Sequence, residues 1–263
     1  MSPPPLLVSR AGAVVTLTIN RPERLNAMDS VAHLALSEAL DTFAEDASVR
    51  VLVLTGAGSR AFSVGRDLKE LSATLSEREQ DEIDARWQRI TRLTDRFDYP
   101  KPIIARVQGL ALGGGFELAL ACDIVVATEG ATFALPEAQR GLIPFAGGVH
   151  RLPRQIPERT ALGMMLTGRS IDAARALQLG LINEVTATEL IDEAVERWTQ
   201  EIVAAAPLSV RAIKQCVALG AGRPLHEAIA AAYPAEEARK ISRDSQEGPR
   251  AFAEKRAPVW RGQ

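Results

Sequence analysis

Residues 109–123 of the chain read GLALGGGFELALACD. Three consecutive glycines, Gly113, Gly114 and Gly115, run straight into Phe116-Glu117-Leu118-Ala119-Leu120-Ala121-Cys122, an apolar helix former with one carboxylate near its start. A strand is expected just before this stretch, over Ile103–Val107 in YPKPIIARVQG. Strand, glycine turn and helix together leave free backbone N–H groups at the positive end of a helix dipole, which favours negative charge. The usual phosphate-binding forms do not fit. No lysine follows the glycines as a P-loop requires, and the glycines are contiguous and late rather than spaced as G-x-G-x-x-G after a first strand. The same N–H groups would serve a carbonyl oxygen that gains negative charge during a reaction.

Glu117 alone is ambiguous, because a glutamate in a first helical turn stabilises the dipole and can simply face water. Glu137 has a similarly plain reading, since Pro136-Glu137 suits the first residues of a helix. The pair is more telling, each acid lying beside glycine-rich backbone. Two carboxylates facing one site can divide acid and base roles, because like charge and burial raise the pKa of at least one.

Around this motif the pattern is α/β. AVVTLTIN (13–20), VRVLVLTG (49–56) and DIVVAT (123–128) read as strands, the last two as short apolar runs buried on both faces. Asp29 or Ser30 offers a cap for a helix through VAHLALSEALDTFAEDA, and 76–98 reads as a polar helix anchored by Ile83, Trp87, Ile90 and Leu93. From residue 157 onward only helices are expected: 158–166, 172–179, 188–205, 208–219, 224–241 and 248–255. Strands alternating with helices, then helices alone, predict an α/β core with a helical C-terminal portion.

The 263 residues suffice for one large domain, or one with a small appendage. A net charge of −2 gives no reason to expect nucleic acid or an anionic membrane as partner. No apolar run approaches the ~20 residues of a membrane span. MSPPPLLVSR lacks the features of a signal peptide. Cys122 and Cys216 lie far apart among apolar residues and read as reduced thiols, so a cytoplasmic location is expected. The three histidines have no metal-ligand spacing.

Five ordered blocks carry a family resemblance: RPERLNAMD, RAFSVGRDLKEL, KPIIARVQGLALGGGFELALACDIVVA, FALPEAQRGLIPFAGGVHRLPR and EGPRAFAEKRAPVW. Over nearly its whole length the sequence resembles the enoyl-CoA hydratase/isomerase (crotonase) superfamily. The resemblance implies a spiral of ββα units over 1–206, holding the CoA and acyl site, and a helical region over 207–263 that assembles a homo-oligomeric trimer or hexamer. It implies an acyl-CoA thioester as substrate, with coenzyme A as part of that substrate and no separate cofactor. The thioester carbonyl would sit between the backbone N–H groups of Gly114 and Arg66. Glu117 would act as base on the attacking water, and Glu137 would supply the proton to Cα. Arg24, Leu25 and Ala27 would line the adenine pocket. Ala61, Ser63 and Lys69 belong to the second CoA loop, and Phe252 and Lys255 would reach a neighbouring subunit's CoA.

Both acids are present, which favours an enoyl-CoA hydratase, a lyase. The alternatives are the carnitinyl-CoA dehydratase branch, which FALPEA, GGVHRLP and the tail resemble, and an isomerase of the same family. An RNA-binding or inactive member is the alternative of another class, but RKISRDSQEGPR is mixed in charge and lends it little. Three positions depart from the family pattern: Arg66 where a small residue is usual, Phe145 for glycine, and His150 for glutamine.

Overall fold

A computed structural model describes residues 3–72, 74 and 76–263. Its strands are β1 (Leu6–Ala11), β2 (Val14–Ile19), β3 (Val51–Gly56), β4 (Ala61–Ser63), β5 (Ile103–Val107), β6 (Leu110–Leu112), β7 (Ile124–Thr128), β8 (Thr132–Ala134), β9 (Ile171–Asp172) and β10 (Glu184–Thr186). They form two sheets, ordered β1-β2-β3-β5-β7-β10 and β4-β6-β8-β9. From β3 to β8 successive strands alternate between the sheets. β3, β5 and β7 enter the larger one, and β4, β6 and β8 the smaller. Helices α1 (Ser30–Glu45), α2 (Leu68–Ser72), α3 (Glu77–Arg89) and α4 (Gly114–Leu120) return the chain between turns. This is the α/β spiral of ββα units. Pairing is parallel except for β1 with β2 and β8 with β9.

The larger sheet has apolar groups on both faces, and its strands show why. In β3, Leu52 and Leu54 join the main core, while Val51 and Val53 point the other way, onto a second cluster. Strand geometry sends alternate side chains to opposite faces. Each side chain so buried contributes roughly 1.5–3 kcal/mol before the entropy of ordering is counted. Asp29 is the cap of α1, its carboxylate accepting from the Ala32 N–H at 2.9 Å. Ser76 and Glu79 form a reciprocal capping box that starts α3.

Beyond α4 come α5 (Gly148–Gln155), α6 (Glu158–Thr167), α7 (Ala173–Gln178), α8 (Ile191–Ala204), α9 (Pro207–Gly220), α10 (Leu225–Ala230), α11 (Pro234–Lys240) and α12 (Asp244–Ala253). The expectation of helices alone after residue 157 is overturned. β9 closes the smaller sheet against β8, and β10 closes the larger one against β7. Two further readings are corrected. The expected helix 224–241 is two, because Pro234 cannot continue a helix and holds Tyr233 extended (φ −118°, ψ 116°). The expected helix 76–98 ends at Arg89, where Ile90 turns extended (ψ 119°) and a 3-10 turn drives Leu93 into the core.

α8 covers the second face of the larger sheet through Ile191, Ala194 and Val195. α9 is fastened to the starts of β5 and β7 by Lys214, whose ammonium donates to Asp123 at 2.5 Å and to the Lys101 carbonyl at 2.9 Å. No single helix among the described residues is long and apolar enough to cross a membrane.

Candidate active site

β4 and β6 are parallel neighbours, and each runs into a loop that opens on the same cavity. After β4 comes Val64-Gly65-Arg66-Asp67, and after β6 comes Gly113 with the start of α4. The first loop is held at several points. The Ser63 hydroxyl donates to the Asn26 carbonyl at 2.8 Å and accepts from the Gly65 N–H at 3.1 Å. Met28 N–H donates to Gly65 carbonyl at 2.7 Å, and Asp67 N–H to Met28 carbonyl at 2.9 Å. Asp67 is clamped by Arg21 and Arg24 at 3.0 and 2.8 Å. Buried Asn26 donates to the Ala57 and Ala61 carbonyls, holding the connection that leads into β4.

The Arg66 N–H lies between these bonds with no acceptor among the described residues. The Gly114 N–H, first in α4, is one of the donors that a helix start leaves without an intrahelical partner. The two loops touch: a Cβ on Gly114 would stand 3.5 Å from the Arg66 nitrogen, and one on Gly65 only 2.5 Å from the Gly114 nitrogen. Glycine is therefore required at Gly65 twice over, by contact and by its φ of +84°.

The cavity has a volume of about 880 Å³. Two carboxylates face into it. Glu117, on α4, is 3 % exposed, and its Oε1 accepts from the Gly148 N–H at 2.7 Å. That burial excludes the plain reading in which Glu117 faces water. Its pKa is pushed up to about 7, by burial first; the Gly148 N–H opposes the rise and the charge of Glu137 adds to it. Glu137 begins a 3-10 turn, Glu137–Arg140, and its pKa is raised by burial. Its Oε2 is buried with no partner among the described residues. A buried oxygen of this kind is costly unless a ligand or water meets it. The arrangement can bind a polarised oxygen at two main-chain donors, with a proton acceptor and a proton donor alongside.

The structure gathers Gly114, Arg66, Glu117 and Glu137 on this one cavity, with Ala27 and Lys69 on its wall. The Ala61 and Ser63 side chains are buried inside the fold. Arg24 is committed to Asp67, and Leu25 adopts a left-handed φ of 52° in the turn beneath it. Phe252 and Lys255 lie in and just after α12 and are exposed, away from the cavity lining. Sequence reasoning missed Gly148, Asp67, His33 and Trp87. The GGVHRLPR block contains Gly148, but no pattern shows that its N–H meets Glu117.

A raised carboxylate pKa has a definite sign. Glu117 unfolded titrates near 4.5, so between about pH 4.5 and 7 the folded state binds more protons than the unfolded one. Stability therefore declines as pH rises through that window, by a few kcal/mol at most. Glu117→Gln keeps an oxygen for the Gly148 N–H and should flatten the decline. Thermal melts of both proteins from pH 4.5 to 8 check it: equal slopes would place the titration elsewhere.

Comparison with known proteins agrees with this architecture. The enoyl-CoA hydratase/isomerase family model matches residues 9–263. A carnitinyl-CoA dehydratase of Salmonella typhi is 40% identical over 264 residues, covering 98% of each chain. A crystal structure of an enoyl-CoA hydratase from Bacillus anthracis superposes with a TM-score of 0.90 at 34% identity, covering 98% of this chain and 100% of that one. An enoyl-CoA hydratase from Mycobacterium tuberculosis H37Rv gives 0.87 at 35%, covering 99% and 100%. With its five motif blocks in order and its two-sheet spiral, the chain belongs to the enoyl-CoA hydratase/isomerase family.

Proposed function

We propose that this protein adds water across the 2,3-double bond of a 2-enoyl-CoA thioester. The observation that carries the reading is a buried Glu117 and a half-buried Glu137 beside two N–H groups without an acceptor among the described residues, all on one cavity. The thioester oxygen sits between the Gly114 and Arg66 N–H groups, which strengthen their hold as the oxygen gains charge. Glu117, as carboxylate, takes a proton from water while the water oxygen bonds to Cβ. The π electrons pass to the thioester oxygen as an enolate. Glu137, as carboxylic acid, then protonates Cα. The Gly148 N–H on Glu117 supports the charged form there, and the Glu137 Oε2, buried without a partner among the described residues, suits a protonated acid. Lys69 on the cavity wall supports a role toward a CoA phosphate.

The reverse reaction, dehydration of a 3-hydroxyacyl-CoA, is a second reading, favoured by the carnitinyl-CoA dehydratases among the relatives. The same groups serve both directions.

The division into a 1–206 core and a 207–263 assembly region belongs to this proposal, as does a trimer or hexamer. Its support is the exposed apolar row of Ile213, Val217, Leu225, Ile229 and Ile241, 64–88 % exposed in the isolated chain. Phe252 and Lys255 follow in the same region.

Loss of the ultraviolet absorbance of the conjugated enoyl thioester of crotonyl-CoA, on protein whose mass by light scattering is three or six chains, is the expected result. A protein that binds crotonyl-CoA and leaves it unchanged would reject the hydratase reading.

A further inference from the structure

One wall of the cavity is built for something other than an alkyl chain. It is formed by His33 from α1, Trp87 from α3, Arg66, and the segment with Arg92 and Thr94. The Arg66 guanidinium lies over the Trp87 ring, 5.0 Å from its centroid. The His33 ring packs against the same indole at 5.1 Å. Among the described residues no carboxylate lies within ion-pair distance of Arg66. Three of the four acids on the cavity are engaged: Asp95 with Arg92 at 2.7 and 3.0 Å, Asp67 with Arg21 and Arg24, and Glu117 with the Gly148 N–H; Glu137, the fourth, forms no ion pair among the described residues. Two polar atoms of this wall, Trp87 Nε1 and Thr94 Oγ1, are buried without a partner among the described residues. An indole N–H can only donate, and so can a guanidinium. What these groups lack is an acceptor.

We propose that this wall selects an acyl group ending in a carboxylate and excludes one ending in a quaternary ammonium; the proposal rests on the acyl-CoA reading above. A carboxylate can accept from the Arg66 guanidinium, which is exposed on the cavity wall. A trimethylammonium end has no acceptor to offer and meets a fixed positive charge. The aromatic face on which such a cation would stack is already covered by Arg66. His33 adds no charge of either sign near pH 7: burial, with Arg92 and Arg66 nearby, pushes its pKa down to about 4. Lys69 and Arg140, also on the cavity wall, do not favour a cation either. The chain is thereby set apart from the carnitinyl-CoA dehydratases it resembles. The selectivity comes from the side chain of Arg66, whose N–H serves the thioester.

The test is binding of three saturated thioesters that cannot be hydrated: glutaryl-CoA, butyryl-CoA and 4-trimethylammoniobutyryl-CoA, titrated calorimetrically into the full-length protein. Glutaryl-CoA should bind about tenfold or more tighter than butyryl-CoA, as a charge-assisted hydrogen bond requires, and the cationic thioester should bind weakest. Arg66→Gln should bring the glutaryl-to-butyryl ratio to about threefold or less, and Trp87→Leu, which removes the ring the guanidinium lies over, should lower it part of the way. Equal binding of glutaryl-CoA and butyryl-CoA by the native protein, tightest binding of the cation, or an unchanged ratio in Arg66→Gln would each overturn the proposal. Because none of the three thioesters reacts, a failure of hydration leaves this result standing. Failure of all three to bind would overturn the acyl-CoA reading and this proposal with it.

Discussion

Glu117→Gln and Glu137→Gln should each lower kcat for hydration of crotonyl-CoA by about 10² or more, with little change in affinity for the thioester. The expected size is that of general acid–base catalysis, about 10²–10⁴. Glutamine keeps the shape and the hydrogen bond to Gly148 but neither takes up nor releases a proton near pH 7. If the two acids work as a pair on one water, the double variant should be scarcely slower than the worse single one. The pH profile separates their roles. With Glu117 as base, kcat/KM should fall below about pH 7, where its carboxylate becomes protonated, and that limb should disappear in Glu117→Gln. Two coupled acids give macroscopic steps, so the limb belongs to the pair until the variants divide it. Near-native turnover in either variant would return that residue to a purely structural role.

Gly65→Ala should be at least as damaging, although it removes no functional side chain. The new methyl would lie 2.5 Å from the Gly114 nitrogen and 2.9 Å from its Cα. Neither partner can yield cheaply. Gly113 N–H is bonded to the Ala134 carbonyl at 2.9 Å, and the Gly65 carbonyl to Met28 at 2.7 Å. Displacing one donor of an oxyanion site costs about 10²–10³ in kcat. The positive φ adds a stability loss of about 1–2 kcal/mol. Measured well below its melting temperature, the variant should be folded and slow. A variant that only melts earlier, with native turnover, would mean that the closeness of these loops serves packing alone.

What the sequence discloses follows from how each element is stabilised. β3 and β7 are legible because burial on both faces demands an unbroken apolar run. α4 is legible because glycines and an apolar run mark its start. β4, β6 and β8 have three residues each, too few for any period to register, and they exist because the larger sheet's turns carry them into place. β1 escapes notice because it is an edge strand with only Leu6 buried. The break at Ile90 is set by where Leu93 must sit, a tertiary demand that local helical preference does not contain. At the site, the two acids and the glycines stand out as residue types. The Gly148 N–H and the Trp87–Arg66 stack do not, because each joins segments that are distant in sequence or whose meeting depends on the loop path.

The pairing of β4 with β6 has a further consequence. The loops bearing the Arg66 and Gly114 N–H groups leave neighbouring parallel strands, so their separation is tied to the inter-strand distance of a sheet, about 4.8 Å. That spacing is a property of backbone and is nearly indifferent to which side chains surround it. The wall that would judge the acyl end is carried instead by α1, by α3, and by one side chain pointing away from the hole. Reaction and recognition are thus inherited through separate parts of the molecule. Lineages can exchange Arg66, Trp87 and His33 for other side chains while the sheet keeps the donors in place, so new substrates cost this fold very little of its chemistry.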